Sequence, residues 1–467
     1  METTFDVRVW TTQVRKNKQG KVTSYRVRWQ VGGEPFGKSF STSTLADGFR
    51  ARLVTAARNG EPFCLNTGLP VSQTKNKTNN VTWYQAACEY ADMKWPDSAP
   101  KYRRSIAQSL TAITVPMLDG RNLPDPKLLR KALTTAFNPR SRNGELQPDI
   151  RQALTVAAKA SRNVSELTNP DTLRAVLRAL DLKLDGNRAS ANTVRLRRIT
   201  LRNAIDFFIE KKYLDSNPLQ GIKVKKRKVA LRQVDPKSVC NPMQGRMLIS
   251  AVGMSGKQGP PLEAFFGSIY YAALRPEEAG NLKESNLDLP PPEQDPVTGE
   301  VTYGWGDINL DSARPEISGE WTDSGEAGEA GPLKHRERGV GRPVPCPPPL
   351  TELFYRHLTR FGTAPDGRLF RGARDGGLVS SSVYGRVWAA AREQVFTAEV
   401  AAGPLAKRPY DLRAAAVSTQ LNSGVSPMRV AEWAGHSLSV LLRVYARCLD
   451  GGDQADRAKL RQNFTSG

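Results

Sequence analysis

Histidine is almost missing from this chain, with three in 467 residues, so imidazole chemistry has few places to reside. Cysteine is scarce as well. The five (Cys64, Cys88, Cys240, Cys346 and Cys448) are odd in number, far apart and without paired spacing. They fit neither a zinc site nor a disulfide framework, and they point to a reducing cytoplasm. Long apolar runs are absent: the longest, residues 264–274, falls well short of the ~20 residues that cross a bilayer. The opening METTFDVRVW has neither the basic start nor the apolar core of a signal peptide. Acids are the last shortage. Asp plus Glu number 46 against 68 Lys plus Arg, a net charge of +22 with a pI near 9.9. Such a surplus suits a polyanionic partner, and the missing apolar span turns that expectation from a membrane toward nucleic acid.

The length exceeds one ordinary core, so two or three domains are expected. Residues 5–14 alternate (FDVRVWTTQV), a polar turn follows, TSYRVRWQVG alternates again, and PFGKSFST comes after a Gly-Gly turn. The pattern predicts a three-stranded antiparallel sheet, followed by a helix in TLADGFRARLVTAARNG. Residues 1–60 hold eleven Lys or Arg and four Asp or Glu, a net of +7. Arg26 and Arg28 alternate along one strand with Trp29 nearby, which suits a small DNA-contacting module, although a basic sheet face is also simply solvated. Residues 61–80 read as a linker. From 81 to 222 the spacing is that of a helical domain, whose last helix carries Arg195, Arg197, Arg198 and Arg202. A basic linker, 223–234, follows with Lys225, Lys226 and Arg227. A charge run is usually a solvated face, but a chain wrapping DNA needs positive charge there. The last domain spans 235–467. Inside it residues 288–331 hold eleven acids and one base, net −10, which leaves +32 on the remainder. This Pro- and Gly-rich insert is expected to form short strands with disordered loops and to face away from a phosphate backbone. The fold class is therefore mainly α with small antiparallel sheets (α+β).

Four positions in the last domain carry candidate chemistry. The apolar run EAFFGSIYYAAL stops at Arg275, and Pro276, Glu277 and Glu278 suit the first turn of a new helix. Arg275 stands at that break either as a snorkelling surface arginine or as a cation held over a cavity. In RPYDLRAAAVSTQLNSG a helix puts Arg413, Val417 and Leu421 on one face, just after Tyr410. An arginine on such a face needs an anion, for which Glu278 is a candidate, or a site to open onto. SPMRVAEWAGHS reads as a helix capped by Ser426 and ended by Gly435. His436 follows at once, and the next helix aligns Leu441, Val444, Tyr445 and Cys448. Taken singly, His436 is an ordinary capping or packing histidine and Tyr445 an ordinary core tyrosine.

Taken in order, Arg-x-x-Glu, Tyr-Asp-Leu-Arg, Gly-His and a tyrosine nine residues on resemble the tyrosine recombinase (phage integrase) family. The resemblance covers roughly residues 245–449 with strong motifs, and the two N-terminal modules more loosely. The order of pieces is similar to a lambda-type integrase: an arm-binding sheet, a helical core-binding domain and a catalytic domain. The style of the last motifs is similar to integrases of actinobacterial phages and integrative elements. By this resemblance Arg275 and Arg413 clamp the scissile phosphate, two guanidinium forks being suited to a phosphorane-like transition state. Tyr445 attacks and is left as a 3′-phosphotyrosine beside a free 5′-hydroxyl, His436 hydrogen-bonds the phosphate, and Glu278 orients the arginines. Lys334, in GPLKHRERGVGRPVPCPP, is the implied acid for the leaving oxygen, with Arg336 and Arg338 as alternatives. Where the family usually has histidine at the start of the second arginine motif, this chain has Tyr410. A tyrosine side chain donates a hydrogen bond but is a poor general base at neutral pH. The resemblance also implies double-stranded DNA attachment sites, a homotetramer on two duplexes, an excisionase and a host DNA-bending protein as partners. It implies no metal or other cofactor, no membrane, and the bacterial cytoplasm. The alternatives are a resolvase-like recombinase of chromosome or plasmid dimers and a catalytically silent DNA-binding protein of the same fold. The extra N-terminal module disfavours the first; Tyr445 and both arginines disfavour the second.

Overall fold

The computed structural model describes the chain apart from residues 1, 18, 74–80, 121, 184–185, 223–232, 335, 338, 373–375, 446–456, 458–460 and 462–467. It divides into two compact units, Met1–Arg227 and Lys228–Gly467. Both are rich in helix with small antiparallel sheets. Among the described residues no helix is long and apolar enough to cross a membrane.

In the first unit the expected sheet forms, but its first row is broken. After a short β1 (Thr3–Thr4), β2 (Val7–Val9) and β3 (Gln13–Lys16) share one edge of β4 (Val22–Val31), and β5 (Glu34–Phe40) takes the other. Alternation sends Val27, Trp29 and Val31 inward, onto Ala46, Phe49, Leu53 and Ala56 of helix α1 (Ser43–Arg58). Trp29 is therefore a core residue and not a companion of the arginines; its ring stacks on Phe36 (6.0 Å) and its indole N–H donates to the Gly68 carbonyl. The expected linker also starts too early. β6 (Phe63–Cys64) pairs with β1, and Leu65 and Leu69 pack on the same core. The polar tail of that stretch hid its apolar beginning.

The first unit continues with helices α2 (Trp83–Lys94), α3 (Pro100–Thr114), α4 (Pro126–Ala136), α5 (Pro139–Asn143), α6 (Pro148–Ala160), α7 (Pro170–Leu180) and α8 (Ala191–Glu210). Proline opens five of them, where its missing N–H costs nothing. On α8 the arginines divide. Arg195 and Arg202 are exposed, whereas Arg197 donates to the Leu180 and Leu182 carbonyls (3.2 and 2.7 Å) and Arg198 pairs with Asp181 (3.0 Å). The latter two close the C-terminal end of α7, so their first duty is structural. Lys225, Lys226 and Arg227 lie outside the described residues.

The second unit packs α9 (Pro242–Met254), α10 (Glu263–Tyr271), α12 (Pro348–Phe361) and α13 (Ser381–Val395) around Phe265, Phe266, Phe354 and Trp388. The short α11 (Pro276–Ala279) follows α10 directly. Its three-stranded sheet has β10 (Gly306–Leu310) between β7 (Leu287–Asp288) and β11 (Arg342–Cys346). The central strand thus comes from the acidic insert, and a small hairpin, β8 (Glu293–Gln294) with β9 (Val301–Thr302), precedes it. The short strands expected of this insert therefore form. Composition averages over the whole segment, whereas order is fixed by its few apolar residues: Ile308, Leu310, Ile317 and Trp321 are all buried. Trp321→Ala should therefore lower stability by about 3–5 kcal/mol, the usual loss for a buried tryptophan, read as a shift of the urea midpoint. A wild-type midpoint would mean the insert is not part of the core.

Candidate active site

Three helix ends in the second unit bring the site together. Beyond α10, Ala273 adopts a left-handed backbone (φ 51°), an uncommon state for a residue with a Cβ. Pro276 then holds Arg275 extended at the start of α11. Helix α15 (Asp411–Asn422), which follows α14 (Ala398–Ala402), carries Arg413 on its buried side. Helix α16 (Pro427–Ala434) is capped by Ser426 and ends at Gly435 in the left-handed region (φ 62°). His436 follows, and α17 (Leu438–Tyr445) presents Tyr445.

Glu278 is the hub. Its carboxylate accepts from the Arg275 backbone N–H (2.9 Å) and Nη1 (2.6 Å), and from Arg342 Nη1 (3.3 Å) and Nη2 (2.9 Å). Arg342, on β11, was not singled out in the sequence. Its signal was the two-residue period it shares with Val344 and Cys346, which are all buried. Arg275 Nη2 reaches the Gly435 carbonyl (2.8 Å). Arg413 does not pair with Glu278 but donates to the carbonyls of Ala273 and Ala434, and to His436 Nε2 (2.9 Å).

Burial alone would raise the Glu278 carboxyl, but Arg342, Arg275 and Arg413 together hold it below its usual range. Burial, and then Arg275, lowers the pKa of Arg413. The same two causes, burial first and then Arg413, Arg275 and Arg342, push His436 down to about 3. His436 is thus neutral at pH 7. A guanidinium only donates, so Nε2 must be the acceptor and the ring proton sits on Nδ1. That buried Nδ1 has no partner among the described residues. Three guanidiniums surround one carboxylate, a net of two positive charges. A buried cluster with surplus cations and an unpaired donor is built for an anion.

A cleft of about 970 Å³ opens over this cluster, and Arg275, Lys334, Arg336, Tyr410, His436 and Tyr445 line it. Lys334 is exposed and lies on the long connection 311–341 between β10 and β11, not at the tip of a tight hairpin. Arg336 donates to the Gly341 carbonyl (2.8 Å), and Arg338 lies outside the described residues. Tyr410 is 43% exposed at the start of α15. Tyr445 is 3% exposed, with its ring stacked on His436 at 5.9 Å. Arg413 is fully buried beneath the cleft floor, behind His436.

No family model matches this sequence, and no curated protein matches it. The chain is similar to solved structures of three DNA-bound proteins. One is the Tn1549 transposon integrase in complex with transposon right-end DNA (16% identity, 72% of this chain and 98% of that one, TM-score 0.45). Another is a lambda integrase dimer bound to a COC′ core site (13% identity, 95% of each chain, TM-score 0.44). The third is the XerH site-specific recombinase bound to difH in a pre-cleavage complex (14% identity, 79% and 97%, TM-score 0.40). At such distances, the role of each residue in this chain rests on its own geometry.

The first unit offers a second surface. Opposite the α1 side of the sheet, the register places Arg8, Arg15, Arg26 and Arg28 on one open face. The Arg28 guanidinium lies over the Trp10 ring (5.7 Å). Arg26 lies against Gly37, where a Cβ would come within 3.0 Å of its guanidinium.

The two described histidines should differ in tautomer. His436 is expected to stay neutral, protonated on Nδ1, from pH 7 to about pH 4, whereas His357 Nε2 donates to the Leu369 carbonyl (2.8 Å). Nitrogen-resolved NMR reads both states directly. The unfolded chain protonates this histidine near 6.5 and the folded one only near 3. Its contribution is therefore complete above about pH 6.5 and is lost as pH falls below that value. His436→Asn should flatten that part of the stability profile; a His436 pKa near 6.5 would refute the assignment.

Proposed function

We propose that this chain is a site-specific tyrosine recombinase, an integrase that cuts and rejoins double-stranded DNA through a 3′-phosphotyrosine. One observation carries the reading: Tyr445 and His436 line a cleft above a buried cluster with an unpaired imidazole donor and two uncompensated positive charges. A phosphorane-like transition state holds about two negative charges, so the cluster offsets the charge that develops at the phosphorus. Tyr445 Oη forms the new bond to phosphorus as the bond to the 5′-oxygen breaks. Lys334 at the cleft mouth gives that oxygen its proton, and the tyrosyl proton leaves to solvent. Arg275 and the His436 Nδ1–H hold the non-bridging oxygens. Arg413 fixes His436 from behind, and Tyr410 donates from the rim. The phosphotyrosine retains the energy of the broken bond, so rejoining consumes no nucleotide.

The substrates in this reading are attachment sites of a phage or other mobile element, joined by four copies of the chain, with an excisionase and a host DNA-bending protein as helpers. The N-terminal module binds arm sites through its arginine face, the helical domain and the basic linker hold the core site, and the last domain cuts. The burial of Tyr445 and Arg413 favours one rival, a silent DNA-binding protein of the same fold. The two separate on a nicked suicide substrate. An integrase should leave a covalent adduct on a denaturing gel, lost in Tyr445→Phe with DNA binding intact. Arg275→Ala should slow adduct formation by about 10²-fold or more. No adduct from the wild-type chain, or one that persists in Tyr445→Phe, overturns the reading.

The arm assignment has its own test. Arginines on an open sheet face can enter a major groove. Replacing Arg26 and Arg28 together with alanine should erase footprints at sites flanking the crossover. Cleavage of a minimal core site should stay near wild type. Unchanged flanking footprints would leave this face merely solvated.

A further inference from the structure

Arg342 is the guanidinium of the cluster that the proposed reaction leaves unused. It is 1% exposed and does not line the cleft, so it does not meet a phosphate there. It nevertheless supplies two of the four hydrogen bonds to the Glu278 carboxylate; Arg275 supplies the other two. Arg275 alone already balances the charge of Glu278, so charge balance does not explain a second buried guanidinium on one carboxylate.

Geometry gives the reason. Arg275 has one terminal nitrogen on Glu278 and the other on the Gly435 carbonyl, so its fork is fixed only while both acceptors stay in place. Arg342 touches both. It pins the carboxylate, and its Nη1 occupies the space where a Cβ on residue 435 would lie, packing directly against the turn that presents His436. Its strand also follows the connection bearing Lys334 and Arg336, whose root is tied by the bond from Arg336 to the Gly341 carbonyl.

We infer that Arg342 is a positioning residue of the cleavage site: it holds Glu278 and the Gly435 turn so that Arg275 and His436 present fixed donors to the scissile phosphate. The inference rests on the recombinase reading of the same cleft. Its test is a double-mutant cycle in single-turnover cleavage of the suicide substrate. Arg342→Met should slow adduct formation about 100-fold, a loss typical of a displaced transition-state donor, with DNA affinity within about twofold. Arg342→Lys should be intermediate, since one ammonium cannot span both carboxylate oxygens. In an Arg275→Ala background the same substitutions should cost about tenfold or less further, because the fork is gone and only the turn that presents His436 remains to be positioned. Full-rate cleavage by Arg342→Met, or an equal loss in the Arg275→Ala background, overturns the inference. Should Arg342→Met not fold, by circular dichroism, Arg342→Lys carries the cycle in both backgrounds. A wild-type chain that forms no adduct fails the recombinase reading itself, whereas a normal adduct in every Arg342 variant fails only this inference.

Discussion

The Glu278 carboxylate is the constraint on which the site depends. It is buried with its lone pairs filled by Arg275 and Arg342, and so it joins α11, β11 and, through Arg275, the end of α16. Such an anion is costly to bury and more costly to leave alone, so those elements are held in one arrangement. Two left-handed residues complete the geometry. Ala273 and Gly435 both turn the chain back toward the cluster, and the carbonyls of Ala273 and Ala434 hold Arg413. Where so few carboxylates face so many guanidiniums, backbone oxygens do the remaining solvation.

Positive charge recurs in the two units in different forms. On the N-terminal sheet it is spread over an open face, where each arginine is hydrated and screened by salt. Beneath the cleft it is dense and buried. The first form suits binding that follows a phosphate backbone; the second suits charge that appears only as a bond breaks. In the proposed recombinase the same residue type serves affinity in one unit and rate in the other.

Much of this was legible in the sequence, for local reasons. Arg275 before proline marks a break, and Gly435 after a capped helix marks a turn; both are set by residues within a few positions. The structure puts each where those rules place it. Helical periodicity located the α-rich stretches, and two-residue alternation located β4 and β5. The failures share a different cause. Arg342 was not singled out, because the partner that gives it a role lies 64 residues away in sequence. Arg197 and Arg198 belonged to a charge run, but the C-terminal end of α7 engages them, Arg197 through the Leu180 and Leu182 carbonyls and Arg198 through the Asp181 carboxylate. The acidic insert was judged by its average, while Trp321 and Ile308 decided its order. Pairing across the fold is what local reading does not see.

The protonation states have a thermodynamic corollary. Glu278 is held ionised well into acid and His436 stays neutral until about pH 3, while guanidiniums do not titrate. Across the neutral range the free cluster therefore keeps a single charge state. The cluster is a fixed mould of charge, already set before any ligand arrives.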